Sequence, residues 1–432
     1  ARPGSHVAHA AALALFSQVE PGTMCPWSMT YAAVPVLRDA GAIGAPWVER
    51  ILRSRYEATL RPVAEKAGVM VGMAMTEKQG GSDVRANATR AEPTADEAWR
   101  LTGHKWFCSA PMSDGFLTLA YAPGGLSCFL VPRITQAGER NAIRLMRLKE
   151  KLGNRSNASA EIEYEGAEAH LLGGEGEGVR TIIDMVHHTR LGTAAGALGI
   201  MRAALAEAVH HAEHRTAFQK RLVDLPLMAR VLADLALDYE AAAALVMHVA
   251  SAFDAEDGEG RAYARLAVAL AKFWVTKRCP AFTAECLEAL GGAGYIEEGP
   301  MPRLFRESPL NAIWEGSGNV IALDVLRTLR RAPQALERLA GEAQAVRGAD
   351  RRLDAAWGRA LALARDPAAA EGDGRRLAEA LALALQATLL VRHAPAAVAD
   401  GFVTARLGED RSLQYGASTD WDAAPVLERQ RA

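Results

Sequence analysis

Glu315 stands in the stretch Trp314-Glu315-Gly316-Ser317-Gly318-Asn319, a single carboxylate between a bulky aromatic and a glycine-rich bend. That combination suits a general base. An aromatic wall excludes water and tends to raise a carboxyl pKa, so the group can take a proton near neutral pH. The glycines let backbone approach a ligand, and the apolar helical pattern Val320-Ile321-Leu323-Val325-Leu326 behind them offers the free N–H groups of a helix start. The same residues also suit a plain helix start, with Ser317 or Asn319 as N-cap and Glu315 as a solvated charge.

Four other clusters could touch a ligand. Thr76-Glu77-Lys78-Gln79-Gly80-Gly81-Ser82-Asp83 builds a tight turn whose N–H groups can face an anion or a ring, or simply close a hairpin. Gly103–Ser109 places Trp106 and Phe107 side by side on a predicted strand, so one is expected to face inward and the other outward or along an edge. Arg215-Thr216-Ala217-Phe218 ends a predicted helix, where Arg215 favours the dipole or pairs a phosphate. Gly291-Gly292-Ala293-Gly294 follows a helix rather than a strand, so its local reading is a helix C-cap.

The elements that must position these residues change along the chain. Residues 1–68 read as an N-terminal helical domain, with apolar helical spacing at Ala8–Val19 and Val48–Leu60 and breaks at Pro21-Gly22, Pro46 and Pro62. Residues 69–175 read as a β domain. Leu117–Ala122 and Leu126–Val131 flank Pro123-Gly124-Gly125 as a hairpin, and Ala160–Tyr164 alternates as a half-buried strand. Residues 176–332 predict long helices at about 178–214, 225–253, 259–290 and 319–331, the makings of a four-helix bundle. Residues 333–432 add a further helical domain, with a loop at Asp366–Gly374 and an irregular tail. The fold class is α+β, mainly α.

Composition narrows the function classes. Half of the 432 residues are hydrophobic, enough for a large core, and the net charge of −2 gives no global attraction to nucleic acid or anionic membrane. No membrane span is expected. Five scattered cysteines without a CxxC pair argue against a disulfide scaffold or zinc ribbon, so no metal site is expected and a reducing, cytoplasmic setting fits. The chain starts without a Met and without a signal-peptide pattern.

Taken in order, MAMTEKQGGSDV, GHKWFCSAP, LGNRSNAS, the Arg215–Phe218 segment and AIWEGSGNV resemble the acyl-CoA dehydrogenase superfamily of flavoproteins, and its AidB-like branch most closely. The resemblance spans roughly Val19 to Leu329, and the C-terminal helical block also fits that branch. It implies an N-terminal helical domain, a middle β-barrel-like domain and a C-terminal helical bundle, usually in a homotetramer. FAD is then expected between the β domain and the bundle, reached by a neighbouring subunit. Residues 1–68 are shorter than the branch's N-terminal domain, so a truncated first domain is expected.

The resemblance also assigns roles by position. Met75, Thr76, Gly81 and Ser82 would hold the flavin and its pyrophosphate. Phe107 and Ser109 stand where the family has a Trp and a Thr flanking the isoalloxazine ring, so the ring face is kept and the indole N–H is lost. Arg215 and Phe218 match the segment that reaches the FAD of an adjacent subunit, although Gln219 replaces the glycine that follows. Glu288 replaces a Gln near the FAD diphosphate, where a carboxylate is repelled unless it is paired or turned away. Gly292, Ser317 and Asn319 complete the cofactor set, and Arg190 matches an arginine near the substrate.

Glu315 falls on the family's base. The implied reaction is α,β-dehydrogenation of an acyl-CoA or related thioester, with an electron-transfer flavoprotein as acceptor. The branch suggests a second function, a protective flavoprotein that binds duplex DNA and has little dehydrogenase activity. Residues 331–432 hold 14 Arg, no Lys and 14 Asp plus Glu, a balance of 14 − 14 = 0. Arg347, Arg351, Arg352 and Arg359 are expected to share a helix face, with Asp350 and Asp354 available for ion pairs. A non-CoA substrate, such as a nitroalkane or a carrier-bound acyl group, is a third reading.

Overall fold

The structure, a computed structural model, describes residues 2–95, 98–366, 371–409 and 411–431. Three helices open the chain: α1 (Ser5–Ser17), α2 (Met24–Asp39) and α3 (Gly41–Leu52). Strands β1 (Val71–Ala74), β2 (Arg90–Pro93), β3 (Trp99–Ser109), β4 (Gly115–Ala122), β5 (Gly125–Pro132), β6 (Ile143–Leu148) and β7 (Ser159–Leu172) follow. Then come α4 (Gly178–His214), the short pair β8 (Thr216–Ala217) and β9 (Lys220–Arg221), α5 (Pro226–Ala252), α6 (Gly258–Ala289), α7 (Gly292–Tyr295), α8 (Met301–Glu307) and α9 (Gly318–Arg331). The chain ends in α10 (Gln334–Ala345), α11 (Arg351–Ala364), α12 (Gly374–His393), α13 (Ala396–Leu407) and α14 (Ala424–Glu428). It divides into two compact units, Gly22–Thr189 and the combination of Ala1–Pro21 with Arg190–Ala432.

The first unit is built on the sheet. β4 pairs with β5 and with β2, β2 with β3, β3 with β7, and β7 with β5, so five strands close a ring. β1 adds to β4 in parallel, and β6 lies on β7. Alternating residues such as Leu101, Phe116, Phe129, Ile162 and Tyr164 fill the inside. The predicted hairpin and the Ala160–Tyr164 strand fall within β4–β5 and β7. The helix expected at Val48–Leu60 stops at Leu52, after running through Pro46. Residues 55–62 beyond it form neither helix nor strand, because they are anchored individually. Buried Lys66 donates to the carbonyls of Glu57 and Thr59 and to Asp114, and Glu57 accepts from the Ala67 N–H.

The second unit packs α5 on α6 and α6 on α9, with α12 against all three. The long helices start and stop where the apolar periodicity does. Asp257 caps α6 by accepting from the Gly260 N–H at 2.7 Å, and Gly291 closes it with φ 59. α5 is long and apolar enough to cross a membrane by length and composition, with a mean hydropathy of 1.2. It is a core helix here: its buried Asp234 and Asp238 are tied to Arg406 and Arg278, and Asp238 also to the Tyr415 hydroxyl. That cluster holds the C-terminal block onto the bundle, so the irregular tail carries a seated Tyr415 and a buried Trp421.

Arg347 does not share a face with Arg351, Arg352 and Arg359. Asp350 accepts from the Arg352 N–H at 2.7 Å and fixes the start of α11 at Arg351, leaving Arg347 in the preceding turn. Of the loop expected at Asp366–Gly374, residues 367–370 lie outside the described residues.

Candidate active site

The Glu315 turn is set by two buried cations. Glu315 has φ 58 and Gly316 φ 104, two successive left-handed residues. For a glutamate this conformation costs on the order of 1–3 kcal/mol and persists only where the surroundings hold it. Arg190, buried on α4, donates from Nε to the Glu315 carbonyl at 3.2 Å. Lys272, buried on α6, donates from Nζ to the Gly316 carbonyl. Arg190 is itself fixed by Asp324 of α9 at 2.6 Å, both side chains being buried, and Asp324 is shared with Arg265 at 3.3 Å and Arg327 at 3.2 Å. Gly316 is required, since a Cβ there would lie 3.0 Å from Ile321 Cδ1 in a backbone that disfavours L side chains.

The flanking residues finish the turn. The Trp314 indole donates to Asn311 Oδ1 at 3.1 Å, which fixes the ring of the residue before Glu315. Ser317 occupies the N-cap of α9, but its side chain makes no capping hydrogen bond, and Asn319 is exposed. The plain helix start is therefore not what the Ser317 hydroxyl serves. Sequence reasoning missed Lys272 and Asp324. Each had a signal: a lone charge inside an apolar run, Ala267–Val275 and Ile321–Leu326 respectively.

The sheet unit brings two of the expected cofactor segments together. The Trp106 N–H donates to the Thr76 carbonyl at 2.8 Å, so the Thr76–Asp83 turn lies along β3. Gly81 sits over Thr76, and a Cβ there would come within 2.4 Å of Thr76 Oγ1. Met75 and Thr76 are half-buried, Gly81 and Ser82 exposed. Glu77 points inward instead of toward a ligand. Its carboxylate meets Lys105 Nζ at 2.8 Å, with both side chains fully buried, and accepts from the Ala88 N–H and the Thr89 hydroxyl. Burial pushes the Glu77 carboxyl up, but Lys105 and these hydrogen bonds outweigh it and hold the pKa near about 2.

The expectation that one of Trp106 and Phe107 faces inward is overturned. The β3–β7 register shifts between Lys105 and Cys108, and this irregularity leaves neither aromatic buried. Lys105 and Cys108 take the inward positions. Phe107 is 46% exposed, and Ser109 is half-buried two residues on. Lys149 Nζ stands 3.2 Å from the Trp106 ring centroid and 4.9 Å from that of Phe107.

In the helical unit Arg215 opens on a cavity of about 300 Å³ lined by Glu207, His210, His211, His214, Arg215 and Leu290. Neither Glu315 nor Arg190 lines it. Gly292 and Glu288 are exposed beside Leu290. After burial itself, the charge of Glu288 is what raises the Glu285 carboxyl pKa. Phe218 is 86% exposed at the tip of the β8–β9 hairpin. Its φ is 51 and that of Gln219 is 63, so the two-residue turn has both central residues left-handed without a glycine. A Gln219→Gly protein is expected to be more stable by about 1 kcal/mol, read as a raised denaturation midpoint.

Within the sheet unit the Thr76–Asp83 turn, with no side chain at Gly81, and the half-exposed Phe107 ring suit FAD; in the helical unit the Ser317 hydroxyl is unused in capping. Comparisons with known proteins agree in order along the chain. Residues 176–330 match the acyl-CoA dehydrogenase C-terminal domain, 72–167 the acyl-CoA dehydrogenase middle domain, and 1–58 the adaptive response protein AidB N-terminal domain. The chain is 48% identical to AidB of Escherichia coli (strain K12) over 387 residues, 89% of this chain and 71% of that protein. It is 33% identical to acyl-CoA dehydrogenase family member 11 of Caenorhabditis elegans over 73% of this chain and 53% of that one. The solved structure of Caenorhabditis elegans ACDH-11 in complex with C11-CoA superposes with a TM-score of 0.81 at 27% identity, covering 98% of this chain and 77% of that one.

Proposed function

The chain belongs to the acyl-CoA dehydrogenase family, on its AidB-like branch, and from that premise we propose that it is an FAD-dependent oxidoreductase that introduces an α,β double bond into an acyl thioester. The observation that carries the reading is the Glu315 turn, a carboxylate kept in a left-handed conformation ahead of α9 with buried Arg190 on its carbonyl. Energy is spent to hold one acidic residue in one place, as a base demands.

FAD, when bound, supplies the acceptor for the β-hydrogen, which leaves as hydride. Glu315 takes the α-proton. Arg190, braced by Asp324, keeps the Glu315 backbone from relaxing. Met75, Thr76, Gly81, Ser82, Phe107 and Ser109 would hold FAD, with Ser317 and Asn319. Arg215 and Phe218 are proposed to meet the FAD of an adjacent subunit, which needs at least a dimer; Glu288 and Gly292 complete the proposed cofactor set, and the family resemblance makes a homotetramer the proposed assembly. An acyl-CoA is the proposed substrate class, because ACDH-11 is in complex with C11-CoA. An electron-transfer flavoprotein is the proposed acceptor and the cytoplasm the proposed location.

For the duplex-DNA reading, five of the 14 arginines of the C-terminal block are already engaged in ion pairs. There Arg352 pairs with Asp350 and Asp400, Arg392 with Glu342, Arg406 with Asp234 and Asp238, Arg429 with Glu240, and Arg431 with Glu213 and Glu428. Cations already paired release few counterions on a duplex. The test of the enzyme reading is an anaerobic titration of the FAD-loaded protein with short, medium and long acyl-CoAs. At least one is expected to bleach the flavin absorbance within the mixing time or minutes. A flavin that stays oxidised with every chain length would sink the proposal.

A further inference from the structure

Lys66, Lys105 and Lys272 are the lysines among the largest fully buried side chains. Lys66 faces Asp114 at 2.5 Å and Lys105 faces Glu77 at 2.8 Å. Lys272 differs. Among the described residues no carboxylate lies within ion-pair distance of it, and its Nζ donates to a backbone carbonyl, that of Gly316. A buried charge spent on a neutral acceptor regains little of its desolvation cost. An apolar side chain of the same length would serve stability better in the run Ala267–Val275. Lys272 is therefore poorly explained as a packing residue.

What it touches gives the alternative. Gly316 and Glu315 are the two left-handed residues of the turn, and their carbonyls are taken by Lys272 and Arg190 from different helices. Asp324, the counter-charge bonded to Arg190, is already shared with Arg265 and Arg327. The charges that act on Lys272 are Arg190 of α4 and Lys277 of α6, which repel it, and Glu315, which attracts it. Burial first, then Arg190, pushes the Lys272 pKa down to about 7.

We infer that Lys272 is a positioning residue for Glu315: its ammonium on the Gly316 carbonyl clamps the strained turn, and loss of its proton loosens it. The catalytic half of this role rests on Glu315 being the base; the clamping half does not.

The test uses the FAD-loaded protein, wild type and Lys272→Met, with hydrogen–deuterium exchange of the peptide covering 313–321 as the first readout. The variant is expected to keep or raise its Tm at pH 6 while that peptide exchanges about tenfold faster, with peptides of the β sheet unchanged. Unchanged exchange at 313–321, or a fall in Tm with faster exchange everywhere, overturns the inference. A second arm needs no variant. Corrected for intrinsic chemistry, wild-type protection at 313–321 should fall as pH rises through about 7, and a flat profile overturns the inference. The third arm is acyl-CoA bleaching, where Lys272→Met should slow the rate about tenfold with the half-saturating thioester concentration little changed. If wild type is not bleached by any acyl-CoA, the proposed reaction fails, while the exchange arms still decide the clamp.

Discussion

A Glu315→Gln protein is expected to keep FAD and lose acyl-CoA bleaching by about 10³-fold, within the range of roughly 10²–10⁴ that a positioned base contributes. Gln preserves size and shape, so it asks the turn to keep φ 58 while losing the proton-accepting oxygen pair. Arg190 and Lys272 bind backbone carbonyls, so the substitution removes neither bond, but Lys272 loses the attraction of the Glu315 charge and the comparison is made below pH 7, where it keeps its proton. Stopped-flow measurement under anaerobic conditions reads the rate, and α-hydrogen exchange of the thioester in D₂O reads proton abstraction by itself. A variant that bleaches at the wild-type rate would show that the base is another residue. The companion Glu315→Gly separates function from stability. Glycine has no penalty at a left-handed φ, so this protein should be more stable by about 1 kcal/mol and equally inactive. A strained residue whose removal stabilises the fold is retained for its chemistry.

The second large effect is expected far from any substrate atom. Glu77→Gln should destabilise the sheet unit by about 3–5 kcal/mol, because Lys105 is left buried without its counter-charge. Chemical denaturation followed by tryptophan fluorescence, with Trp99 and Trp106 on β3 as reporters, measures the loss. Adding Lys105→Met should recover part of it, since the uncompensated charge goes while the Gln amide oxygen still accepts from the Ala88 N–H. A cost below about 1 kcal/mol for the single variant would contradict the buried-pair argument. The pair also carries a pH signature. The Glu77 carboxyl is depressed to about 2, so its contribution is present above the unfolded carboxylate value and is lost as pH falls from about 4.5 toward 2. Glu77→Gln should flatten that part of the acid-unfolding profile. Because Glu77 and Lys105 lock the Thr76–Asp83 turn against β3, the variant should also retain FAD less well.

The long helices of the bundle were legible because apolar periodicity is local: the expected 178–214, 225–253, 259–290 and 319–331 match α4, α5, α6 and α9 within a residue or so. The β4–β5 hairpin was legible for the same reason, with glycines at its turn. The candidate residues were legible only through their motifs. What failed was every inference that needed the partner of a side chain. Alternation on β3 predicted one buried aromatic, and a register shift against β7, a property of two strands, put both outside. Helical spacing predicted a helix to Leu60, and Lys66 with Glu57 anchored those residues outside any helix instead. Arg347 was grouped with α11 until the Asp350 cap fixed the helix start.

The amino-acid sequence by itself determined the family, the order of helical and strand-rich parts, and the identity of Glu315 as the residue to question. Those follow from spacing along one chain. The tertiary structure alone decided what a charge is for. Glu77 stood in a ligand-binding turn and became a buried clamp, while Lys272 and Asp324 sat in apolar runs and became supports of the Glu315 turn. A charge is defined by what it meets, and here the partners lie 28, 44 and 134 residues away. Separations of that length are set by packing, and no local pattern encodes them.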